Sequence, residues 1–167
     1  VYVGAFGKHP GWNDFIDDLG LETDRLISLK RILFLEGIAP SIDSGAWDKL
    51  EESQRTEGFH HIIVWRTRSD VMVCRLWSSS DGKGRTKYPM VVAAQVRGAP
   101  IAWILSEVLP QLEQAESRCR SATAAEQVIS VLDETRRTLR SRAAALGSTG
   151  GEPISTRAVA EVADAIQ

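Results

Sequence analysis

The chain lacks a membrane-length apolar run, lacks an excess of charge of either sign, and has almost no cysteine. No stretch approaches the ~20 apolar residues that a membrane-crossing helix needs, so no membrane insertion is expected. Twenty Lys and Arg stand against 22 Asp and Glu. That balance gives no general attraction for nucleic acid or anionic lipid, and no nucleic-acid partner is expected. The two cysteines, Cys74 and Cys119, lie in no Cys-x-x-Cys or Cys/His cluster. A disulfide framework is therefore excluded, and the cytoplasm, a reducing compartment, is the expected location. Cys74 alternates with apolar residues in Val71-Met72-Val73-Cys74-Arg75-Leu76-Trp77 and reads as a small buried side chain. The opening Val1-Tyr2-Val3-Gly4-Ala5-Phe6 has no basic region and no cleavage site, so it does not read as a signal peptide. The chain starts without Met and stops in mid-pattern over 159–167, as expected of a piece of a longer protein.

What is present is ordinary globular composition: 167 residues, 43% hydrophobic and 25% charged. That is enough chain for one domain with its own core. Residues 1–6 read as a strand that ends at Gly7, and the Gly/Pro/Asn-rich run 7–14 reads as a loop. Leu26, Leu29 and Leu33 recur at helical spacing, predicting a helix over 22–38 that stops at Gly37 and Pro40. A shorter helix is predicted over 46–55. Three strands follow at 60–66, 71–77 and 90–96, the first two joined by a hairpin connection at 67–70. The last is apolar on both faces and should lie inside its sheet. After Pro100 the pattern is helical, with Pro110 expected to kink or split it. Thr123-Ala124-Ala125-Glu126 reads as a capping box in which Glu126 reaches back. The helix it opens should turn Val128, Leu132 and Leu139 inward and Glu134, Arg136, Arg137 and Arg140 outward.

This order predicts an α+β fold, an antiparallel sheet with helices packed on it and further helices towards the C-terminus. A single domain is expected over 1–146, its sheet part at 1–98 and its helical part at 99–146. A Gly-rich linker is expected at 147–153, then the start of a further, truncated helical segment at 154–167.

The most distinctive stretch is the loop 78–87, Ser-Ser-Ser-Asp-Gly-Lys-Gly-Arg-Thr-Lys. Three readings stand. Glycine amides with Lys83 and Arg85 would suit phosphate or nucleotide, although no Walker A pattern is present there or at Gly4-x-x-Gly7-Lys8. The loop is otherwise solvated, or it is structured by Asp81–Arg85 contacts. His60 and His61 are adjacent, so in a strand they point to opposite faces and form no metal site unaided. Ser79, His9 and Asp14 can be assembled into a hydrolytic triad on paper, but no Gly-x-Ser-x-Gly elbow surrounds any serine. No catalytic residue, metal ligand or cofactor site is therefore assigned. The acidic residues Asp14, Asp17, Asp18, Glu22 and Asp24 read chiefly as complements of a helix N-terminus. Trp65 and Trp77 read as core. Trp12, in a polar loop, is either a lid on that core or an anchor for a partner.

Two segments together resemble the TagF (ImpM) family, the accessory proteins of bacterial type VI secretion systems. The first is Gly7-Lys8-His9-Pro10-Gly11-Trp12-Asn13-Asp14-Phe15, similar to the family's Gly-Lys-Leu-Pro-x-x-Gly-Asp-Phe. The second is Trp77, then Ser79-Ser80-Asp81-Gly82-Lys83-Gly84-Arg85, then Tyr88-Pro89-Met90, similar to a Trp, Ser-x-Asp-x-x-Gly-Arg and aromatic-Pro-Leu series. His9 replaces the family's Leu, Asn13 replaces a Gly, and one extra residue lies between Arg85 and Tyr88, so the chain resembles a divergent member. The resemblance spans roughly 2–96. It implies a sandwich of longin or roadblock type, no catalysis and no cofactor. It also implies a regulatory module that binds protein, with a forkhead-associated scaffold protein as partner. The matched positions Gly7, Lys8, Pro10, Trp12, Asp14, Phe15, Trp77, Ser79, Asp81, Gly84, Arg85, Tyr88 and Pro89 are the candidate interaction residues. Both segments leave hydrophobic strands, the first of which is expected to lie centrally. Asp14 or Asp81 would then pair with Lys8 or Arg85 and fix both loops.

Overall fold

A computed structural model of the chain describes residues 1–45, 49 and 58–148. Apart from Lys49, the helix expected over 46–55 lies outside the described residues, as does the segment 154–167. Four strands form one sheet: β1 (Tyr2–Gly7), β2 (His60–Arg66), β3 (Asp70–Ser78) and β4 (Pro89–Arg97). Their order is β1-β4-β3-β2 and every neighbouring pair is antiparallel. The class is α+β, as the pattern of elements predicts.

β3 and β4 are buried over all but their last residue and take the two inner positions. Their near-continuous apolar sequence is what a strand covered on both faces requires. Thr67 closes the β2–β3 hairpin: its N–H donates to the Asp70 carbonyl at 2.8 Å and its Oγ1 accepts from the Asp70 N–H at 3.1 Å. β1, expected in the centre, is an edge strand. Its outer side is not left bare, because the chain after the first loop returns along it. Ala5 and Leu19 exchange both backbone hydrogen bonds, at 2.8 and 3.2 Å.

The period-2 alternation of the strands feeds two cores. On one face Phe6, Met72, Cys74, Leu76, Val91 and Ala93 pack with Leu26, Leu29 and Phe34. These last come from α1 (Asp24–Lys30) and the π-helical turn after it (Arg31–Ile38), which leads into α2 (Ala39–Asp43). On the other face Val3, Ala5, Val73, Trp77, Met90, Val92 and Ala94 pack with Ile104, Val108, Leu112, Val128, Leu132 and Leu139. Those come from a second π-helical segment (Ile104–Val108), which follows the short α3 (Ile101–Trp103), and from α4 (Leu109–Ser121) and α5 (Ala125–Ser148). The sheet is thus sandwiched between two helical layers.

Pro40 does not end its helix, against expectation, whereas at Pro110 the helical run is split as expected, by a π-helical segment just before the proline; one reason covers both. A proline lacks an N–H and clashes with the carbonyl four residues back. Just before each, the ladder widens: the Ala39 N–H bonds Phe34 O and the Leu109 N–H bonds Ile104 O, five residues back. The proline then falls in the first turn of the next α-helical piece, where it is tolerated. At α5 the reaching-back group is Gln127, not Glu126: its Oε1 accepts from the Thr123 and Ala124 N–H groups at 2.8 and 3.2 Å. Arg136 is not turned outward; its guanidinium folds onto β1 and donates to the Val3 carbonyl at 3.1 Å. The helix also continues through Ser148, so the first two residues of the expected linker are helical and the rest lie outside the described residues. No helix among the described residues is long and apolar enough to cross a membrane.

Candidate functional site

β1 and β4 are neighbours, and their ends meet where the first loop leaves and the 78–88 loop arrives. The Lys8 N–H donates to the Pro89 carbonyl at 3.2 Å, and the Ile16 N–H closes the first loop onto the Gly7 carbonyl at 2.8 Å. This backbone frame aims Lys8 at Asp81. Their side chains are 5% and 0% exposed, and Lys8 Nζ donates to Asp81 Oδ2 at 2.6 Å.

Asp81 organises the second loop. Its Oδ1 accepts from the backbone N–H groups of Lys83 and Arg85, both at 3.0 Å, and its Oδ2 accepts from Arg85 Nε at 2.7 Å. Gly84, at φ +77°, lets the chain bend this tightly, and its N–H closes the bend on the Asp81 carbonyl at 2.9 Å. Burial pushes the Asp81 carboxyl up, but hydrogen bonds from Lys8, from the Arg85 backbone and side chain, and from the Lys83 backbone outweigh it. They hold it well below the usual carboxylate range.

Arg85 ties this loop back to the first. Its Nη2 donates to the Asn13 carbonyl at 2.9 Å and lies 3.1 Å from Asp14 Oδ1, which is itself 3.4 Å from Lys8 Nζ. The Gly82 N–H adds a bond to the Trp12 carbonyl at 2.6 Å. The four charges expected to pair across the loops are therefore joined in one alternating network.

An aromatic cluster flanks the network. Lys8 Nζ lies 4.8 Å from the Phe15 ring centroid and 5.9 Å from that of Tyr88, within cation–π range. Phe15 and Tyr88 meet edge to face at 5.0 Å, and Phe34 joins both. The Tyr88 hydroxyl donates to Asp43 at 2.6 Å; burial, then that carboxylate, push its pKa up to about 12.

The remaining candidates divide. Trp12 is half-buried against the helical core and edge to face with His9, in the manner of a lid. Pro10 is exposed beside Gly82. Pro89 opens β4. Trp77 is a core residue under α4 and outside the network, with Arg120 5.7 Å from its ring. Ser79 is half-buried and takes no part in the network.

The paper triad of Ser79, His9 and Asp14 is not assembled. His9 is 1% exposed with both ring nitrogens engaged: Nδ1 accepts from the Gly11 N–H at 3.0 Å and Nε2 donates to the Cys119 carbonyl at 2.8 Å. That pattern requires the neutral ring. Burial lowers its pKa from the ordinary 6.5, against a smaller raising effect of the Cys119 bond. His9 thus makes a polar tie from the first loop to the end of α4. Among the described residues no group of three His, Cys, Asp or Glu side chains is placed to hold a metal ion. Both cysteines are buried, and that burial pushes their thiols up to about 12.

A second buried charge cluster escaped the sequence reading. Arg75, 6% exposed, donates from Nε to Glu116 Oε2 at 2.6 Å, and Arg120 holds the other oxygen at 2.8–2.9 Å. The signal was present: Val71, Val73, Arg75 and Trp77 share the face of β3 that α4 covers. A charge in that row needs a partner.

No family model matches the chain, and no curated protein sequence matches it. Among solved structures it is similar to the crystal structure of PA0076 from Pseudomonas aeruginosa PAO1, with a TM-score of 0.57 at 16% identity. The match covers 80% of this chain and 62% of that one, so the chain spans less than two thirds of its neighbour's length. The likeness concerns the fold.

Proposed function

We propose that the chain is a non-catalytic regulatory module of the TagF type, acting in the cytoplasm by binding protein. The observation that supports this reading most is the Lys8–Asp81–Arg85–Asp14 network. It unites the two segments that carry the resemblance and leaves their ionised groups engaged with one another. The network has a buried floor and an exposed rim. Lys8 and Asp81 form the floor, while the Asp14 and Arg85 side chains are 65% and 49% exposed and Phe15 is 44% exposed. A rigid rim of aromatic, cationic and anionic groups suits protein recognition. The partner implied by the resemblance is a forkhead-associated scaffold protein.

The nucleotide reading of the 78–87 loop is less well supported. Arg85 is already held by two carboxylates and the Asn13 carbonyl, and Lys8 by Asp81. A phosphate would have to displace those contacts.

The test is binding of the whole chain to the forkhead-associated scaffold protein of the same organism, measured by biolayer interferometry. Wild type is expected to bind, and Phe15→Ser to lose affinity at least about tenfold while keeping its circular dichroism spectrum. Absence of wild-type binding counts against the partner; unchanged binding by the variant counts against the surface. Calorimetry with ATP, GTP and cyclic dinucleotides separates the alternative. Micromolar affinity that disappears in Lys83→Ala would replace this reading with the nucleotide one.

A further inference from the structure

We propose that the outer edge of β2 pairs with β2 of a second copy of this chain. The two antiparallel strands, in register about Ile63, join two four-stranded sheets across a two-fold axis. The case begins with the backbone. The Phe59 carbonyl accepts from the Ser78 N–H at 2.9 Å and the Thr67 N–H donates to the Asp70 carbonyl at 2.8 Å. Both ends of the ladder thus direct odd-numbered residues towards β3. In an antiparallel pair the direction alternates. The N–H and C=O groups of His60, Ile62, Val64 and Arg66 therefore point away from the sheet. Among the described residues, only the His60 N–H of these groups has an internal partner, His61 Nδ1 at 3.1 Å.

Sheet edges are ordinarily blunted by proline, lysine, a bulge or a covering segment. The other edge of this sheet follows that rule, since β1 is covered through Ala5 and Leu19. β2 does not. Its sequence, His-His-Ile-Ile-Val-Trp-Arg, has no Pro and no Lys, and its register with β3 runs unbroken from His60 to Arg66. The residues with outward backbone groups also carry uncovered apolar side chains: Ile62 is 47% and Val64 43% exposed.

The strand complements itself. Centring on Ile63 engages all seven residues and sets Ile62 opposite the partner's Val64, both with outward backbone groups. His61 then faces the partner's Trp65, and Ile63 faces its own copy. The one permanent charge, Arg66, faces the partner's His60, whose Nδ1 lies 3.6 Å from Glu116 Oε1. No two Arg66 side chains therefore meet across the seam. Such an isologous contact closes after two copies. A seven-residue strand pairing is small for a stable interface, so the dimer is expected in the micromolar range.

Sedimentation equilibrium of the whole chain, with three variants, tests this. Val64→Pro removes an N–H that points away from β3, a substitution an edge strand accepts. Wild type is expected to reach the dimer mass, and Val64→Pro to raise the dissociation constant at least about tenfold with its melting temperature kept. Ile63→Cys places two thiols at a non-hydrogen-bonded pair, with Cα atoms about 4.5 Å apart, and should give a disulfide-linked dimer under mild oxidation. Val64→Cys, opposite Ile62, should not; the native cysteines are buried and do not compete. A wild type that stays monomeric overturns the proposal. So does a monomer with slowly exchanging Ile62 and Val64 amides, which would mean that the same chain fills the edge. A dimer that survives Val64→Pro overturns it as well.

Discussion

Lys8 and Asp81 lie 73 positions apart in the chain and 2.6 Å apart in space, both almost fully buried. A buried carboxylate in this setting needs several partners. Asp81 has a cation from the first loop, a cation from its own loop and two backbone N–H groups. The contact fastens the end of β1 to the approach to β4 and sets the shape of both loops. Whatever docks on the rim of Asp14, Phe15 and Arg85 meets a surface ordered beforehand, which lowers the entropy cost of binding.

Arg85 bonds Asp81 and Asn13, but its side chain is 49% exposed and solvent screens its charge. Arg85→Ala is therefore expected to cost about 1 kcal/mol in urea unfolding. Arg85→Lys should recover little of it, because an ammonium cannot serve Asp81 and Asn13 together. A loss several times larger would mean that Arg85, rather than Lys8, is the main partner of Asp81.

His9 supplies the pH dependence. Its pKa is lowered in the folded chain from an ordinary 6.5, so the unfolded chain binds the proton more readily. The stability that the neutral ring contributes is fully present above about pH 6.5 and is lost as pH falls towards and through the folded value. Urea midpoints measured between pH 8 and 5 should fall on the acidic side in wild type and fall less in His9→Leu. Parallel profiles would show that His9 is not the group responsible.

Two glycines of the loops should respond in opposite ways. A Cβ on Gly11 would lie 2.6 Å from Ala125 N, 2.8 Å from the Ala124 carbonyl carbon and 3.1 Å from Ala125 Cα, all backbone atoms. Gly11→Ala is expected to cost about 2–3 kcal/mol by forcing the loop off the start of α5. Gly84 has φ +77° and open space around it. Asn tolerates that conformation, so Gly84→Asn should cost under about 1 kcal/mol. Thermal unfolding of both variants checks the pair.

The Arg75–Glu116 pair predicts non-additivity. Glu116→Leu leaves Arg75 buried without its carboxylate and should cost about 3–5 kcal/mol. Adding Arg75→Met should restore part of that loss instead of deepening it. Chemical denaturation of the two single variants and the double one decides the point.

Much of the fold was legible in local pattern. The four strands lie within two residues of their predicted bounds, because alternation and a hairpin turn fix strands locally. Two-sided burial of 90–96 likewise predicted an inner β4. Strand order was less legible: the central place given to β1 ignored the return of the chain through Leu19, which covers that edge. The helix end at Pro40 was misplaced because a π-helical turn removes the clash that proline causes, and composition does not signal such a turn. At the site, the pairing of Lys8, Asp14, Asp81 and Arg85 was legible as contact between two loops that flank hydrophobic strands; they meet because one leaves β1 and the other enters its neighbour β4. The tie from His9 to Cys119 did not, since its acceptor is a backbone carbonyl 110 residues away.

The lock between the loops is tested most directly by a double-mutant cycle in urea unfolding, using Lys8→Met, Asp81→Leu and their combination. Lys8→Met alone should cost about 2–3 kcal/mol, because Asp81 keeps Arg85 and its backbone donors but loses its buried cation. Asp81→Leu should destabilise too, by leaving Lys8 buried beside Phe15 and the more distant Asp14 alone. The combined variant is predicted to be no less stable than the weaker single variant, since each change removes the partner that the other left unpaired. Costs that simply add would contradict the account: Lys8 and Asp81 would then be neighbours without being a lock.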